Sequence, residues 1–324
     1  MATELGRHGL AMSSGDYGDV GVGGLATAGG IGYLVRKHGL TLDHLAAAEV
    51  VLADGTFVRA DADNEPELFW ALRGAGGNFG IVTAVELDAY ELDRVVYATM
   101  IFDASRAATL LRSWGGLLEA APRELTSFLY ASVQQGTPIT RVVNVFAGTD
   151  TDAAVAALTP LLDLGPLLDH EAVLIPYPAI VPAYDGDHYG GVRRPLISSG
   201  LADQLTAELS EELAVGLRSG VAHYLSIRSL GGAVNDVDPL ATAYAHRHQN
   251  FSISSLGSQE AAFHGYWDDL RPHLDGLYLS FETDQRPERL HDAFPGQTLA
   301  KLRGLKAAYD PDNVFDRNFP IPPG

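Results

Sequence analysis

The sequence predicts an α+β protein, and three observations support this fold class. Runs of β-forming residues such as TSFLYASVQ and TRVVNVFAG predict strands. Segments with helical periodicity, such as SRAATLLRSWGGLLEAA and TDAAVAALTPLLDLG, lie between those strands. An Asp-Gly turn joins two further strands, AEVVLA and TFVRA, within residues 42–60. Together these patterns indicate an antiparallel sheet with helices on one face.

The first part of the chain contains a well-marked helix in NEPELFWALRGAGG. Asn64 is the predicted N-cap, Pro66 lies in the first turn, and Gly74 ends the helix. The segment 79–92 that follows is a predicted strand. The apolar face of the helix comprises Leu68, Phe69 and Leu72.

After about residue 93 the predicted strands are VVYATMIF, the two runs named above, HYLSIRSL, NFSISSLGS and a late strand in GLYLSFET. The amphipathic segment ADQLTAELSEELAVGLR and the later AKLRGLKAAYD are predicted helices. Before the first of these helices, IPYPAIVPAYDGDHYGGVRRP is rich in Pro, Gly and aromatic residues and predicts a loop over a site.

Composition excludes several classes of protein. The chain has 324 residues with 22 Lys and Arg against 41 Asp and Glu, a formal net charge of −19, which disfavours nucleic acids and anionic membranes as partners. There is no cysteine, so disulfides and thiolate chemistry are excluded. No transmembrane run or signal peptide is visible, and we expect a cytoplasmic protein without a metal site. A homo-oligomer is compatible with the sequence.

The glycine-rich stretch GVGGLATAGG does not fit a Rossmann dinucleotide site. No apolar strand precedes it, and Gly29, Gly30 and Gly32 fall where the helix of such a site would continue. The glycines fit an extended loop whose backbone amides line a concave anion site. Tight turns are the alternative interpretation.

Three separated segments resemble one family, the berberine-bridge-enzyme-like FAD oxidases of the vanillyl-alcohol-oxidase/PCMH superfamily. They are VGVGGLATAGGIGYLVRKHGLTLDHLAAAEVVLADG with the following ADADNEPELFWALRGAGGNFGIVTAVEL, then HYLSIRSLGGAVNDVDPLATAYAHR, and the tail KLRGLKAAYDPDNVFDRNFPIPP. The resemblance implies a partial PCMH-type FAD-binding domain at residues 1–93. It further implies an antiparallel-sheet substrate domain at 94–282 and a tail at 283–324 that returns to the first domain.

The resemblance also assigns residues to the cofactor. Backbone of the glycine-rich stretch is expected to face FAD, the tail residue Asn318 to lie near the flavin ring, and Val82 to pack near the adenine end. The residues of the stretch are Val20, Gly21, Gly24, Gly29 and Gly32.

The chain departs from the family in two ways that bear on the cofactor. The family's first phosphate-cradling loop, of RGGGHS type, has no counterpart in this sequence, and a truncated gene model would account for its absence. Tyr17 stands where the family often has a cysteine that links to the flavin. We therefore expect FAD to be non-covalent or absent.

The family has a late strand whose sequence is usually close to YVNY, and the corresponding residues here are YLSF. This comparison identifies candidates for proton transfer. Tyr278 is retained, whereas Phe281 replaces the second tyrosine and cannot hold a proton. Glu282 beside this apolar run is a candidate base with a raised pKa. His188 is a third candidate, in an aromatic loop with Tyr177, Tyr184 and Tyr189 that suits an aromatic or polycyclic substrate.

Three functions remain open from the sequence. The first is an FAD-dependent oxidoreductase that oxidises an alcohol or closes a ring in a small molecule. The second is a flavin-free, non-redox descendant that binds or cyclises a small-molecule natural product in the old substrate cavity. The third is an inert partner subunit. Bound oxidised flavin in the visible spectrum distinguishes the first from the others.

Overall fold

A computed structural model describes residues 1–18, 20–134, 136–181, 196–317 and 319–324. The strands of the described residues are β1 (Leu10–Ala11), β2 (Leu45–Val51), β3 (Phe57–Asp61), β4 (Ile81–Leu87), β5 (Tyr90–Glu91), β6 (Arg94–Asp103), β7 (Leu125–Gln134), β8 (Thr137–Phe146), β9 (Leu167–Pro176), β10 (Leu196–Ala202), β11 (Tyr224–Ser229) and β12 (Phe251–Gly257).

The α-helices are α1 (Ala2–Gly6), α2 (Val22–Ala28), α3 (Val35–His38), α4 (Pro66–Leu72), α5 (Ala107–Ala120), α6 (Thr151–Leu158), α7 (Ala207–Ser219), α8 (Glu260–Leu270), α9 (Arg289–Ala293) and α10 (Gln297–Tyr309). Short 3₁₀ turns at Thr41–His44, Tyr177–Ile180 and Leu279–Phe281 connect several of these elements. No helix among the described residues combines the length and the apolar character needed to cross a membrane.

The largest sheet has the strand order β10-β12-β11-β7-β8-β6-β9, and each neighbouring pair is antiparallel. Side chains of successive residues in a strand point to opposite faces, so the sheet has a helix face and a second face. Leu129 and Val142 pack under the helices, whereas Phe128 and Val143 belong to the cluster on the opposite face. The predicted α+β class, with helices on one face of an antiparallel sheet, is confirmed.

Helices α5, α7 and α8 cover the helix face because each has an apolar stripe. In α5 the residues Leu110, Leu111, Trp114 and Leu118 recur at helical spacing and are all buried. Thr206 caps α7 by accepting a hydrogen bond of 3.2 Å from the backbone N–H of Leu209. These side chains share one core with Trp267 of α8.

A smaller sheet, β3-β2-β4, forms a first layer together with α4 and the C-terminal helices. The N-cap of α4 is Glu65 rather than the predicted Asn64, which lies in the preceding turn and donates through its side-chain amide to the Asp61 carboxylate at 2.9 Å. Leu68 and Phe69 share a core with Phe294 and Leu302. The tail therefore packs on the first layer, while the domain boundaries at 93 and 282 stay predictions.

The second face of the large sheet packs against residues 31–42, which directly follow the stretch GVGGLATAGG and together with it form the glycine-rich segment, residues 20–42. Tyr33 stacks on Phe128 of β7 with ring centroids 5.1 Å apart. The buried Arg36 donates to the Leu125 carbonyl at 3.0 Å. These contacts place the glycine-rich segment over the sheet and leave space between them for a site.

Two sequence-based predictions of local structure are wrong. GLYLSFET is not a strand, because the Ser199 hydroxyl donates to the Tyr278 carbonyl at 2.8 Å and accepts from its N–H at 3.0 Å. The chain then turns through 279–281, so its backbone hydrogen bonds to β10 lie before and after the turn, where the Gly276 carbonyl accepts from the Leu201 N–H and the Thr283 N–H donates to the Ile197 carbonyl. The edge strands β9 and β10 were not predicted, and β9 is mostly exposed, so it lacks a clear hydrophobic alternation.

Candidate active site between the glycine-rich segment and the large sheet

Two adjoining cavities lie between the glycine-rich segment and the second face of the large sheet. One, of about 720 Å³, is the glycine cavity, and the other, of about 460 Å³, is the tyrosine cavity. Asp16, Tyr17 and Arg228 line both, so the two spaces meet at these residues. A molecule extending from one cavity into the other contacts this junction.

The glycine cavity combines exposed backbone with an apolar wall. Gly21, Gly24, Gly76 and Gly77 line it, and in each case the position that a Cβ would occupy faces open space. Backbone can therefore come close to a ligand here without a side chain intervening. The apolar part of the wall comprises Val20, Leu25, Ile31 and Phe319.

Tyr278 closes one side of the glycine cavity and is almost fully buried. Its hydroxyl oxygen accepts a hydrogen bond of 2.9 Å from the backbone N–H of Gly30. Its ring packs edge-on against Phe281, with centroids 5.2 Å apart. As an acceptor toward Gly30, the phenol still has its own proton to donate toward the cavity.

Glu282 also lines the glycine cavity, but its carboxylate has several partners. Oε2 accepts from the Arg289 guanidinium at 2.7 Å and from the Ser199 N–H at 3.0 Å. Oε1 accepts from the backbone N–H groups of Thr283 and Asp284 at 2.9 and 2.8 Å. Burial raises the pKa of Glu282, although the charge of Arg289 acts in the opposite direction.

The tyrosine cavity is lined largely by aromatic residues from the glycine-rich side and from the sheet. Tyr130 of β7 and Tyr224 of β11 stack with ring centroids 6.0 Å apart, and Tyr33 lines the same cavity with its side chain in hydrogen-bond contact with Tyr130. Burial raises the pKa values of all three phenols, so they stay protonated near neutral pH. The cavity therefore offers flat apolar surfaces with neutral hydroxyl groups.

The junction of the cavities is a buried ion pair. Arg228 donates to Asp16 Oδ2 through Nε at 3.0 Å and Nη2 at 2.8 Å, and the Tyr130 hydroxyl donates to the same oxygen at 2.8 Å. Burial opposes the charge of Arg228, but Asp16 and the neighbouring tyrosines outweigh it and raise the pKa. All three of these hydrogen bonds go to Oδ2 and none of them to the second oxygen of Asp16, Oδ1.

The structure brings five of the sequence-predicted site residues together. Val20, Gly21, Gly24, Tyr278 and Glu282 all line the glycine cavity. Their assignment to cofactor or catalysis stays a prediction, since the geometry alone does not identify what occupies the space.

Other predicted residues lie elsewhere. Gly29 and Gly32 are outside the cavity lining, because Gly29 packs against the Tyr278 ring and Gly32 against the backbone of Gly15. Val82 lies on β4, where it pairs in register with Val50 of β2.

Residues of the predicted aromatic loop are only partly described. Tyr177 is fully buried in the core rather than on a cavity wall. Tyr184, His188 and Tyr189, and also Asn318 of the tail, lie outside the described residues.

The sequence analysis missed Asp16, Arg228 and the tyrosines of the sheet. The sequence does contain a pattern that could have identified them. In β7 and β11, polar or aromatic residues alternate with mainly apolar ones, and these are Tyr130, Ser132, Tyr224 and Arg228. That alternation marks a face that lines a site rather than a core. Within the described residues, no cluster of three or more His, Asp or Glu side chains could hold a metal ion.

Comparison with known proteins gives concordant results. The family profile of the FAD binding domain matches residues 1–61. An FAD-linked oxidoreductase of Aspergillus terreus, pgmH, is 32% identical over 98% of this chain and 72% of its own length. (R)-6-hydroxynicotine oxidase of Paenarthrobacter nicotinovorans is 29% identical over 100% of this chain and 75% of its own. The solved structure of BBE-like 1 of Physcomitrella patens superposes with a TM-score of 0.86 at 21% identity, covering 99% of this chain and 75% of that one.

Proposed function

Because the chain belongs to the vanillyl-alcohol-oxidase/PCMH family of FAD-linked oxidases, we propose that it oxidises a hydroxyl group on an aromatic small molecule. Its relatives are FAD-linked oxidoreductases that act on small molecules, which supports the FAD-dependent function over the flavin-free alternative. Oxidative ring closure stays a second prediction for the same pair of cavities.

One observation carries the proposal: a glycine-lined cavity adjoins a tyrosine-lined cavity, and a carboxylate lies at their junction. An aromatic body can pack against the stacked Tyr130–Tyr224 pair in the tyrosine cavity, because aromatic rings prefer offset or edge contacts with other rings. The relative named for 6-hydroxynicotine acts on a molecule that also has an aromatic ring.

The residues present fit FAD in the glycine cavity. A volume of about 720 Å³ lies within the usual range for cofactor and ligand pockets, and the apolar wall suits a planar ring system. The glycines whose Cβ positions face open space form a cradle that side chains would fill. The residues that would hold the cofactor are Val20, Gly21, Gly24, Gly76 and Gly77, with Tyr278 beside them.

When bound, FAD supplies the acceptor for a hydride from the substrate carbon. The matching proton leaves the substrate hydroxyl, and we assign it to Asp16 Oδ1. Tyr130 and Arg228 hold Asp16 through its other oxygen, so the carboxylate is fixed in orientation. The substrate carbon and oxygen thereby lose one hydride and one proton, which converts the alcohol to a carbonyl.

Tyr278 and Glu282 stay predicted proton-transfer residues, and their contacts support the role better for Tyr278 than for Glu282. The Tyr278 phenol has a proton to donate at the wall of the glycine cavity. Both oxygens of Glu282 are engaged by Arg289 and backbone N–H groups, which favours a role in positioning the segment of Tyr278.

The first experiment is addition of FAD to the purified chain, followed by anaerobic mixing with 4-hydroxybenzyl alcohol or with cellobiose. We expect the flavin to bind and its visible absorbance to be bleached by the aromatic alcohol and not by the sugar. Bleaching by cellobiose alone would contradict the aromatic assignment, and absence of flavin binding would contradict the whole proposal.

The second experiment tests Asp16. Asp16→Asn is expected to lower the rate of bleaching by about 10²–10⁴-fold, as for loss of a general base. Asp16→Glu retains a negative charge beside Arg228 and is expected to recover part of that rate. Asp236→Asn, at an exposed ion pair with Arg123, is the matched control. Asp16 is not the proton acceptor if the bleaching rate of Asp16→Asn stays within tenfold of the parent, or if Asp16→Asn and Asp16→Glu lower that rate equally.

A further inference from the structure

Arg141 stands at one side of the tyrosine cavity, next to its aromatic wall. It lies directly opposite Tyr130 in the register of β7 and β8, so both side chains are on the second face of the sheet. The Arg141 Nη2 group donates to the Tyr97 hydroxyl at 3.3 Å. Its guanidinium therefore borders the same space as the stacked tyrosine rings.

The charges around the tyrosine cavity do not balance. Its lining contains Arg141, Arg228 and, as the single carboxylate among the described residues, Asp16. Asp16 is already paired with Arg228. The part of the chain that the structure describes provides no carboxylate within 4.0 Å of Arg141, whereas most of the other arginines have one.

The tyrosines do not supply the missing negative charge. Burial raises the pKa values of Tyr33, Tyr130 and Tyr224, which keeps their phenols neutral. Among the described residues, the lining therefore carries one positive charge, that of Arg141, without a carboxylate partner, in a chain whose formal net charge is −19. Arg141 is exposed, so its guanidinium is accessible to a ligand group of opposite charge that enters the cavity.

We propose that Arg141 binds a carboxylate on the aromatic substrate and thereby fixes which end of the molecule enters the glycine cavity. The inference rests on the proposed function and names its substrate class, an aromatic carboxylic acid that also carries the oxidisable hydroxyl. The planar guanidinium matches a carboxylate through two parallel N–H groups. The rings of Tyr130 and Tyr224 then contact the aromatic body between the two polar ends.

Binding of a matched pair of probes tests the inference without any turnover. 4-Hydroxybenzoate and 4-hydroxybenzamide have nearly the same shape and differ in charge. We expect the purified chain to bind the acid about 10- to 100-fold more tightly than the amide, as measured by calorimetric titration. Arg141→Gln is expected to remove this preference while leaving binding of the amide unchanged.

Two further variants sharpen the test. Arg141→Lys is expected to restore only part of the preference, because an ammonium group offers a charge without the planar pair of donors. Arg7→Gln, at an exposed arginine paired with Glu4, is the control and is expected to keep the full preference. Equal binding of acid and amide by the parent chain, or an unchanged preference in Arg141→Gln, would overturn the inference.

The two proposals fail in different ways. Binding of the amide alone reports whether the tyrosine cavity accepts an aromatic ring, which is the premise of the proposed function. The ratio of acid to amide reports on Arg141. If neither probe binds, the tyrosine cavity does not accept an aromatic ring, and both the proposed function and the role of Arg141 are rejected.

Discussion

The hydroxyl oxygen of Tyr278 accepts a hydrogen bond from the backbone N–H of Gly30, a residue 248 positions earlier in the chain. Both groups are buried, so the bond joins the tail side of the site to the glycine-rich segment.

Tyr278→Phe leaves the Gly30 N–H without its acceptor. We expect the free energy of unfolding to fall by about 1–3 kcal/mol, the usual cost of an unpaired buried donor. Denaturant titration measures it, with Tyr309→Phe as the control because its hydroxyl bonds to Glu65 at an exposed position. An equal, small loss in both variants would mean that the Gly30 bond contributes little.

Two glycines of the same segment are expected to respond oppositely to alanine. At Gly29 a Cβ would come within 2.5 Å of the buried Tyr278 ring, so Gly29→Ala is expected to lower the free energy of unfolding by about 1–3 kcal/mol. At Gly24 a Cβ faces open space within α2, so Gly24→Ala is expected to keep or slightly raise stability, by up to about 1 kcal/mol.

The Gly24 variant also tests the cofactor assignment. Its new methyl group occupies space in the glycine cavity, and we expect the affinity for FAD to fall roughly tenfold, about 1.4 kcal/mol. Quenching of FAD fluorescence on binding provides the measurement. Unchanged FAD affinity in a stable Gly24→Ala protein would place the cofactor elsewhere.

Lys306 is fully buried and holds the tail to the first layer. Its Nζ donates to Asp310 at 2.6 Å, to the Asn78 carbonyl at 2.7 Å and to the Phe315 carbonyl at 2.8 Å. Lys306→Met strands the buried Asp310 carboxylate, and we expect a loss of about 3–5 kcal/mol in thermal or denaturant unfolding.

The matched control is Lys301→Met in the same helix. Lys301 forms an exposed pair with Glu67 at 2.8 Å, and such pairs contribute about 1 kcal/mol or less. If the two lysine variants are equally stable, the buried pair does not anchor the tail.

His246 makes stability depend on pH. Burial lowers the pKa of His246 in the folded state to about 4, below its usual value of about 6.5, so folding favours the neutral ring. The lowered pKa therefore adds up to about 3 kcal/mol to the free energy of unfolding. This stabilisation is complete above pH 6.5 and is lost as the pH falls toward 4.

His246→Gln retains a donor toward the Ala293 carbonyl and removes the titration. We expect this variant to lose less stability than the parent between pH 6.5 and 4, whereas His8→Gln at an exposed histidine follows the parent. Superimposable pH profiles for all three proteins would exclude His246 as the origin.

Much of the fold could be predicted because its strands and helices have clear periodicity. The runs around Phe128 and Val143 alternate in register with the two faces of the sheet, and α5 has its apolar residues at helical spacing. The segment around Tyr278 misled the prediction, since its β-forming residues find their backbone partner in the side chain of Ser199, a contact that propensity does not encode.

The candidate site was only partly accessible from the sequence. The family resemblance predicted Val20, Gly21 and Gly24 as site residues, and all three line the glycine cavity. Asp16 was missed because it lies in a short polar run, SSGDYGD, that has no recognisable periodicity or motif. Its place beside Arg228 depends on a contact across 212 residues, which requires the tertiary fold.

The shared core of the first layer has a consequence for biosynthesis. Phe69 and Leu68 on α4 are completed by Leu290 and Phe294, which the ribosome adds roughly 220 residues later. At about 5–20 residues per second, this apolar surface stays uncovered on the nascent chain for roughly 10–40 s. The core of the first layer can therefore close only after residues 290–294 have left the ribosome, long after α4 has emerged.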